Sequence, residues 1–463
     1  METITLGQLL EAVHGTLLGS FDDPNAPITG VDTDSRSIHP GALFIPLAGE
    51  RFDGHAYIGP ALEAGAAGCL TAGERDSYLP GKFYVKVENP QRALRDLAAW
   101  YRGRFDIPFV GVTGSVGKTT AKDMLAAVLG TKYKVLKTEG NHNNTIGLPL
   151  TLLELDASHQ IAVLEMGMDR PGEIDYLAGA VRPDVGVITN IGDAHIERLG
   201  SRENILKAKC EMLPHIRRDG LVVLNGDDPL LNSLRGKTPV PAVYCGQGEG
   251  CDFRAQVTGG DGVSHIHCRL TTPRMDREVK IPALGEHMIY PTLIAVAVGE
   301  RFGLTPDQIE EGIGQFVPTR MRMNILHRGE GITILDDTYN ANPQSMRAAV
   351  SVLADSQGSY KTAILGDMLE LGPFAPALHS GVGECLGTAH IDCLLAVGQL
   401  AEHIAQGARD SGVSQVIHCN TREEAKGVLP RVIRPDSTIL VKASRGMKLE
   451  ELTAKLLELT EEA

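Results

Sequence analysis

The segment FVGVTGSVGKTTAKDMLAAVLG, Phe109 to Gly130, constrains this chain more than any other. An apolar run of strand length meets a glycine-rich turn, and a helix-like stretch follows. Gly114 and Gly117 let the backbone turn its amides inward. The following helix points its positive end at the same place. The loop Gly114, Ser115, Val116, Gly117, Lys118, Thr119 and Thr120 therefore suits phosphate oxygens. Lys118 offers a point charge for the β- and γ-phosphates, and Thr119 a hydroxyl for Mg²⁺. The spacing is the short GxxGKT form, because Val112 stands where the longer pattern has glycine. A bare turn with a surface lysine would not explain why strand, glycines, Lys-Thr and helix coincide. A dinucleotide fold is disfavoured, because GxGxxG is absent.

The rest of the chain supplies the setting. At 463 residues it is too long for one core. The runs FVGV, IAVLEM, VGVITNI and LVVLN read as buried strands between amphipathic stretches, which predicts a parallel sheet covered on both faces. A helical stretch, AVAVGERFGLTPDQIEEGI, closes this block near residues 315–318. Before it, up to about Val85, lie short strands and turns. After it, ITILDD, TAILGD, CLLAV, QVIHC and TILVK repeat the alternation, as in a second doubly wound unit. Ligands of such sheets bind at the carboxyl ends of strands.

Composition removes several functions. The net charge is −14 and no long basic run occurs, which argues against nucleic acid or an anionic membrane as main partner. An anionic small substrate needs only a locally basic pocket. The amino-terminal stretch reads as a short helix without a secretion pattern, and no apolar run reaches the roughly 18 residues of a membrane span. The eight cysteines are scattered without a CxxC pair, so reduced thiols in a cytoplasmic protein are expected.

Two further residues suit a cation beside a triphosphate: Glu165 at the end of IAVLEM and His195 just past VGVITNI. In SRENILKAKCEMLPHI, a helical period of about 100° per residue puts Ile205, Leu206, Met212, Leu213 and Ile216 on one face. Lys209 falls within that face, and Lys207 points the other way. An amine on an apolar stripe loses basicity, and the neutral form can add carbon dioxide to give a carbamate, a carboxylate-like metal ligand. A lysine that snorkels to solvent fits the same pattern.

GSVGKTT, GNHNNTIGLPLTLLEL, LEMG, NIGDAHIERLGSRENILKAKCEM, GEHM, MRM, ILDDTYNANPQSM and AILGDMLELG together resemble the Mur ligases in order and spacing. DSRSIHPGALFIPLAGERFDGH resembles that family's uridine-nucleotide domain. The resemblance implies three α/β domains. Residues 1–86 would form a small domain for the UDP-muramoyl substrate. Residues 87–318 would form a central phosphate-loop ATPase domain with a parallel sheet. Residues 319–463 would form a Rossmann-like domain that grips ATP and the dipeptide. Within the family, DDTYNANPQSM and GDMLELG are most similar to members that add D-alanyl-D-alanine to UDP-N-acetylmuramoyl-tripeptide. That implies a cytoplasmic, monomeric, ADP-forming ligase of peptidoglycan synthesis.

The resemblance also implies roles. ATP and two Mg²⁺ are the expected cofactors, with Thr119 and Glu165 on the first ion and His195 and Lys209, as carbamate, on the second. Asn141 and Asn144 would flank the phosphates, and His287 the adenine. Arg322 and Asp337 would grip ATP. Asn340 and Asn342 would lie near the phosphate–dipeptide junction, and Ser35 and Arg36 would contact the uridine nucleotide. GEHMIYP departs from the family's adenine segment, with Met288 and Pro291 in place of asparagines, and Ala443 replaces a usual glycine. Three alternatives stay open: the ligase adding the third amino acid, which in diaminopimelate users carries a DNPR motif absent here; a folylpolyglutamate-synthase-like ligase; and a non-catalytic nucleotide-binding homologue.

Overall fold

The computed structural model describes residues 1–49 and 52–461. Glu50 and Arg51, within the uridine-domain segment, lie outside the described residues. Contacts divide the chain into two compact units, the first holding residues 1–111, 133–186 and 211–220 and the second holding the remainder.

The first unit begins with β1 (Ile4–Thr5) and β3 (Pro27–Ile28), which pair antiparallel. A five-stranded sheet follows from β2 (Thr16–Leu18), β4 (Gly30–Asp32), β5 (Ala42–Phe44), β6 (Gly68–Thr71) and β7 (Phe83–Lys86), in the order β2-β7-β6-β5-β4. The helix Pro90–Arg102 starts where Asn89 accepts from Arg92 N and proline occupies its first turn. The same unit holds β9 (Val135–Lys137), β10 (Ile161–Glu165) and the amino-terminal parts of β8 (Phe109–Thr113) and β11 (Val185–Ile188), in the order β9-β10-β8-β11.

In the second unit the carboxyl ends of β8 and β11 continue into β12 (Leu221–Asn225), β13 (Ala242–Gly246), β14 (Phe253–Gly260), β15 (Ile266–Thr271) and β16 (Asp276–Ile281). Strands β14 to β16 pair antiparallel, an edge the apolar-run reading did not anticipate because their residues alternate in burial. The phosphate-loop strand β8 and β11 are buried throughout, as a doubly covered parallel sheet requires. Strand β11 stops at Ile188, short of the VGVITNI run, because Thr189 and Asn190 leave the ladder for the phosphate loop.

The expected long helix before residue 318 is two helices, Ile289–Arg301 and Pro306–Gly314. Gly303, at φ 72°, ends the first, and a Thr305–Gln308 capping box with Pro306 starts the second. The helix Lys118–Gly130 packs against both. A β-carbon on Gly312 would meet Val128 Cα at 2.4 Å, so only glycine permits that approach. On the same helix Lys122 and Asp123 form a buried pair at 3.1 Å, and Thr319 Oγ1 donates to Asp123.

The carboxyl-terminal sheet holds β17 (Asn324–His327), β18 (Thr333–Asp336), β19 (Tyr360–Gly366), β20 (Cys393–Val397), β21 (Gln415–Cys419) and β22 (Ser437–Lys442). Its order is β17-β18-β22-β19-β20-β21, with β17 alone antiparallel. Here the five expected runs are strands. The fold is thus α/β, with parallel-rich sheets organised as three domains. All eight cysteines are free thiols. Among the described residues no helix is long and apolar enough to cross a membrane.

Helices Ala375–Thr388 and Ala401–Asp410 cross through glycines. A β-carbon on Gly407 would lie 2.3 Å from Ser380 O, and one on Gly383 2.1 Å from Ile404 O. Overpacking costs about 1–3 kcal/mol, and alanine's helix propensity returns about 1. Backbone atoms cannot swing aside, so Gly407→Ala should lower unfolding stability by about 2 kcal/mol. Chemical denaturation measures it.

Candidate active site

The phosphate loop is held by β11. Gly114 has φ 151°, and a β-carbon there would sit 1.8 Å from Thr189 Oγ1. Gly117 lies in the left-handed region at φ 79° and starts the helix Lys118–Gly130 without a capping side chain. Thr189 Oγ1 and Asn190 Nδ2 donate to Val116 O at 2.6 and 3.1 Å. Val116 N donates to Asn190 Oδ1 at 2.9 Å, and Ser115 N to Asn190 O at 3.0 Å. The amides of Thr119 and Thr120 fall in the first helical turn, where no intrahelical acceptor exists. Ser115 Oγ is buried without a hydrogen-bond partner among the described residues. Lys118 Nζ donates to Gly114 O at 2.9 Å, which lays the ammonium over the loop. This arrangement presents donors and positive charge to an anion.

Beside the loop lies a pocket of about 580 Å³, within the size range of small-molecule sites. Val116, Gly117 and Thr120 line one part, Asn225 and Asp227 another, and His287, Tyr290 and Pro291 a third. His287 resists protonation because it is desolvated; nearby Asp337 opposes that effect and Lys442 adds to it. Met288 turns into the core at 4% exposure, so its replacement of a polar residue leaves the pocket wall intact. Pro291 does face the pocket. Tyr290 OH donates to Asp227 Oδ2 at 3.1 Å, and the Asp227 carboxylate also accepts from Gln247 N and Gly248 N. That brace involves Tyr290 and Asp227, which sequence reading missed because it is formed across the fold.

His195 starts a short turn of helix with φ 62°, and its Nδ1 lies 2.8 Å from Glu370 Oε2. Asp193 is held by a two-pronged contact from Arg202 Nε and Nη2 at 2.7 and 2.9 Å. The helix that follows spans Arg202–Cys210, shorter than expected. It gives way to a 3-10 turn, Leu213–His215, at Pro214, which has no N–H to continue the α-helical ladder, so Met212, Leu213 and Ile216 do not extend its apolar face. The expected contrast between the lysines holds nevertheless. Lys209 is 2% exposed beside Ile205 and Ala208, and Lys207 is exposed. Desolvation, and then the charge of Lys118, press the Lys209 amine well below its usual basicity.

In the carboxyl-terminal domain Arg322 stands between Met321 and Met323, both left-handed at φ 60° and 53°. Its guanidinium lies 4.2 Å from the Tyr339 ring centroid, and its Nε is buried without a hydrogen-bond partner among the described residues. Asp337 pairs with Lys442 Nζ at 2.6 Å. Lys442, another residue missed from sequence, also donates to Asn340 O at 2.9 Å. Asn340 is exposed. Asn342 caps the helix Pro343–Asp355, its Oδ1 accepting from Ser345 N.

In the first unit Glu165 ends β10 at 2% exposure. One carboxylate oxygen accepts from Asn143 Nδ2 at 2.7 Å; the other is buried without a partner among the described residues. Asn143 therefore makes the contact, while Asn144 uses its oxygen to cap Ile146 N and Gly147 N, and Asn141 is exposed. Arg36 is exposed and grips Asp34 through Nε at 2.9 Å and Nη2 at 2.6 Å, which lowers the Asp34 pKa to about 2. Ser35, between them, is half-buried.

A left-handed glycine loop at a strand's carboxyl end, an uncapped helix start and an adjoining pocket define a phosphate-loop nucleotide-binding α/β protein. Three family descriptions match the chain: "Mur ligase family, catalytic domain" over 27–102, "Mur ligase middle domain" over 112–299, and "Mur ligase, glutamate ligase domain" over 321–445. The UDP-N-acetylmuramoyl-tripeptide--D-alanyl-D-alanine ligase of Bacillus subtilis (strain 168) is 39% identical over 98% of both chains. The chain belongs to the Mur ligase family. Among solved structures it resembles MurF from Acinetobacter baumannii (TM-score 0.92, 33% identity, 99% of both chains). It also resembles the MurF ligase from Thermotoga maritima in complex with ADP (TM-score 0.83, 29% identity, 94% of this chain and 97% of that one).

Asn190→Ala removes both side-chain ties to Val116; Val116 O keeps Thr189 Oγ1, but Val116 N is orphaned. An orphaned backbone group costs about 1–3 kcal/mol, so nucleotide affinity should fall roughly tenfold, measured by calorimetric titration.

Proposed function

We propose that this chain is an ATP-dependent, ADP-forming amide ligase that joins D-alanyl-D-alanine to UDP-N-acetylmuramoyl-tripeptide in cytoplasmic peptidoglycan precursor synthesis. The observation that carries this reading is similarity to a ligase of that name over 98% of both chains, joined to an intact phosphate loop and pocket. We divide the work among residues 1–86 for the UDP-muramoyl substrate, 87–318 for ATP, and 319–463 for the dipeptide and for gripping ATP. We take the working unit to be a monomer.

The reaction begins when the tripeptide's terminal carboxylate oxygen attacks the γ-phosphorus and ADP leaves. The dipeptide amine then attacks the carbonyl carbon of the acyl phosphate. Phosphate departs with the C–O bonding pair, and the nitrogen loses a proton. Both partners of the first step are anions, so charge neutralisation and positioning dominate. Lys118 supplies positive charge at the β- and γ-phosphates, with the loop Gly114, Ser115, Val116, Gly117, Thr119 and Thr120 holding their oxygens. Asn141 and Asn144 flank them, and His287 faces the adenine. Arg322 and Asp337 close on the nucleotide. Asn340 and the Nδ2 side of Asn342 orient the dipeptide; Ser35 and Arg36 hold the uridine nucleotide.

Two Mg²⁺ ions suit the donors present. Glu165 keeps a dry carboxylate oxygen with no protein partner among the described residues. Lys209 is a desolvated amine able to become a carbamate. Thr119 and Glu165 would hold one ion, and His195 with carbamylated Lys209 the other. Bound there, Mg²⁺ would offset negative charge on the phosphates.

An amine screen with the UDP-linked tripeptide tests the function. D-Ala-D-Ala should drive ADP formation and give the pentapeptide mass, while lysine or diaminopimelate with the dipeptide-stage precursor should not. Efficient single-amino-acid addition would move the chain to the third-residue class. Lys209→Ala should lose most activity and regain part of it with acetate or formate, whereas Lys207→Ala should be nearly silent. Equal activity of the two variants contradicts the carbamate.

A further inference from the structure

The loop after β19 reaches the turn that begins with His195. Glu370 Oε2 lies 2.8 Å from His195 Nδ1, Glu197 N donates to Glu370 O at 3.4 Å, and a β-carbon on Gly372 would meet Glu197 Cγ at 2.9 Å. Both His195 and Glu370 hold left-handed backbones, at φ 62° and 63°, which non-glycine residues adopt only where surroundings enforce it. The loop is itself anchored. Met368 N donates to Nε2 of the fully buried His379, whose Nδ1 lies 2.7 Å from Ala375 O. Leu369 N donates to Ser444 Oγ at 2.9 Å.

We infer that Glu370 is a positioning residue for His195, holding its imidazole in the orientation from which the ring binds a divalent cation. This rests on the proposed reading of His195 as a Mg²⁺ ligand. The 2.8 Å contact and the left-handed turn together fix where the imidazole lies. Glu370 lies in the loop after β19 of the carboxyl-terminal sheet, whereas His195 follows β11 of the central sheet. Cation affinity at His195 therefore depends on the docking of the GDMLELG loop, Gly366 to Gly372, which links the dipeptide domain to the metal centre.

Mn²⁺ as a surrogate tests this on the full chain saturated with ADP. Free Mn²⁺ is counted by electron paramagnetic resonance, and histidine ligation is read from ¹⁴N coupling in the pulsed spectrum. In the unsubstituted protein the ¹⁴N coupling should be present and should vanish in His195→Ala; failure of either defeats the ligand reading itself. Glu370→Ala should weaken one Mn²⁺ site about 10- to 100-fold and diminish that coupling. ADP affinity without metal and circular dichroism should stay unchanged. Glu370→Gln, which keeps an acceptor oxygen, should lose less. If the coupling is present in the unsubstituted protein yet both Glu370 variants match it in occupancy and coupling, the positioning role is overturned.

Discussion

The site depends on how a strand gives up its hydrogen bonds. At Thr113 the β8 backbone leaves the ladder, and its next amides must find partners or face the cost of burial. Thr189 and Asn190, released from β11, take over the amide and carbonyl of Val116. Gly114 can pass because it has no side chain where Thr189 Oγ1 stands. The loop is thereby set before a ligand arrives, and the helix start at Lys118 is aimed by the same contacts. Preorganised donors of this kind need little reorganisation when phosphate binds.

Charge is handled locally rather than globally. The chain carries a formal −14, yet cations are placed locally: Lys118 lies over the glycine loop, and Arg322 and Lys442 stand in the carboxyl-terminal domain. Lys442 and Asp337 neutralise each other at 2.6 Å, and the Arg322 guanidinium lies over the Tyr339 ring. Lys209 is the opposite case. Desolvation and the charge of Lys118 act in the same direction there, both lowering the basicity of its amine.

Much of this was legible in the sequence, for physical reasons. Buried parallel strands are unbroken apolar runs, so β8, β10, β12, β20 and β21 stand within a residue of where those runs lie. The loop glycines, the Lys-Thr pair and the burial of Lys209 against exposed Lys207 follow from short-range spacing. Side-chain contacts across the fold do not. Asn190, Lys442 and Asn143 act through backbone or carboxylate partners in other segments, and nothing in their own neighbourhoods marks them. The paired asparagines show the limit clearly: Asn143, not Asn141 or Asn144, touches Glu165. Helix ends failed where one breaker outweighed the period, at Pro214 and at Gly303.

The account centres on transfer of the γ-phosphoryl group to a carboxylate oxygen. UDP-N-acetylmuramoyl-tripeptide labelled with ¹⁸O in its terminal carboxylate, incubated with ATP and D-Ala-D-Ala, tests it most directly by mass spectrometry of the released phosphate. The account predicts one ¹⁸O in each phosphate for every amide formed. Amide formation with unlabelled phosphate would contradict it.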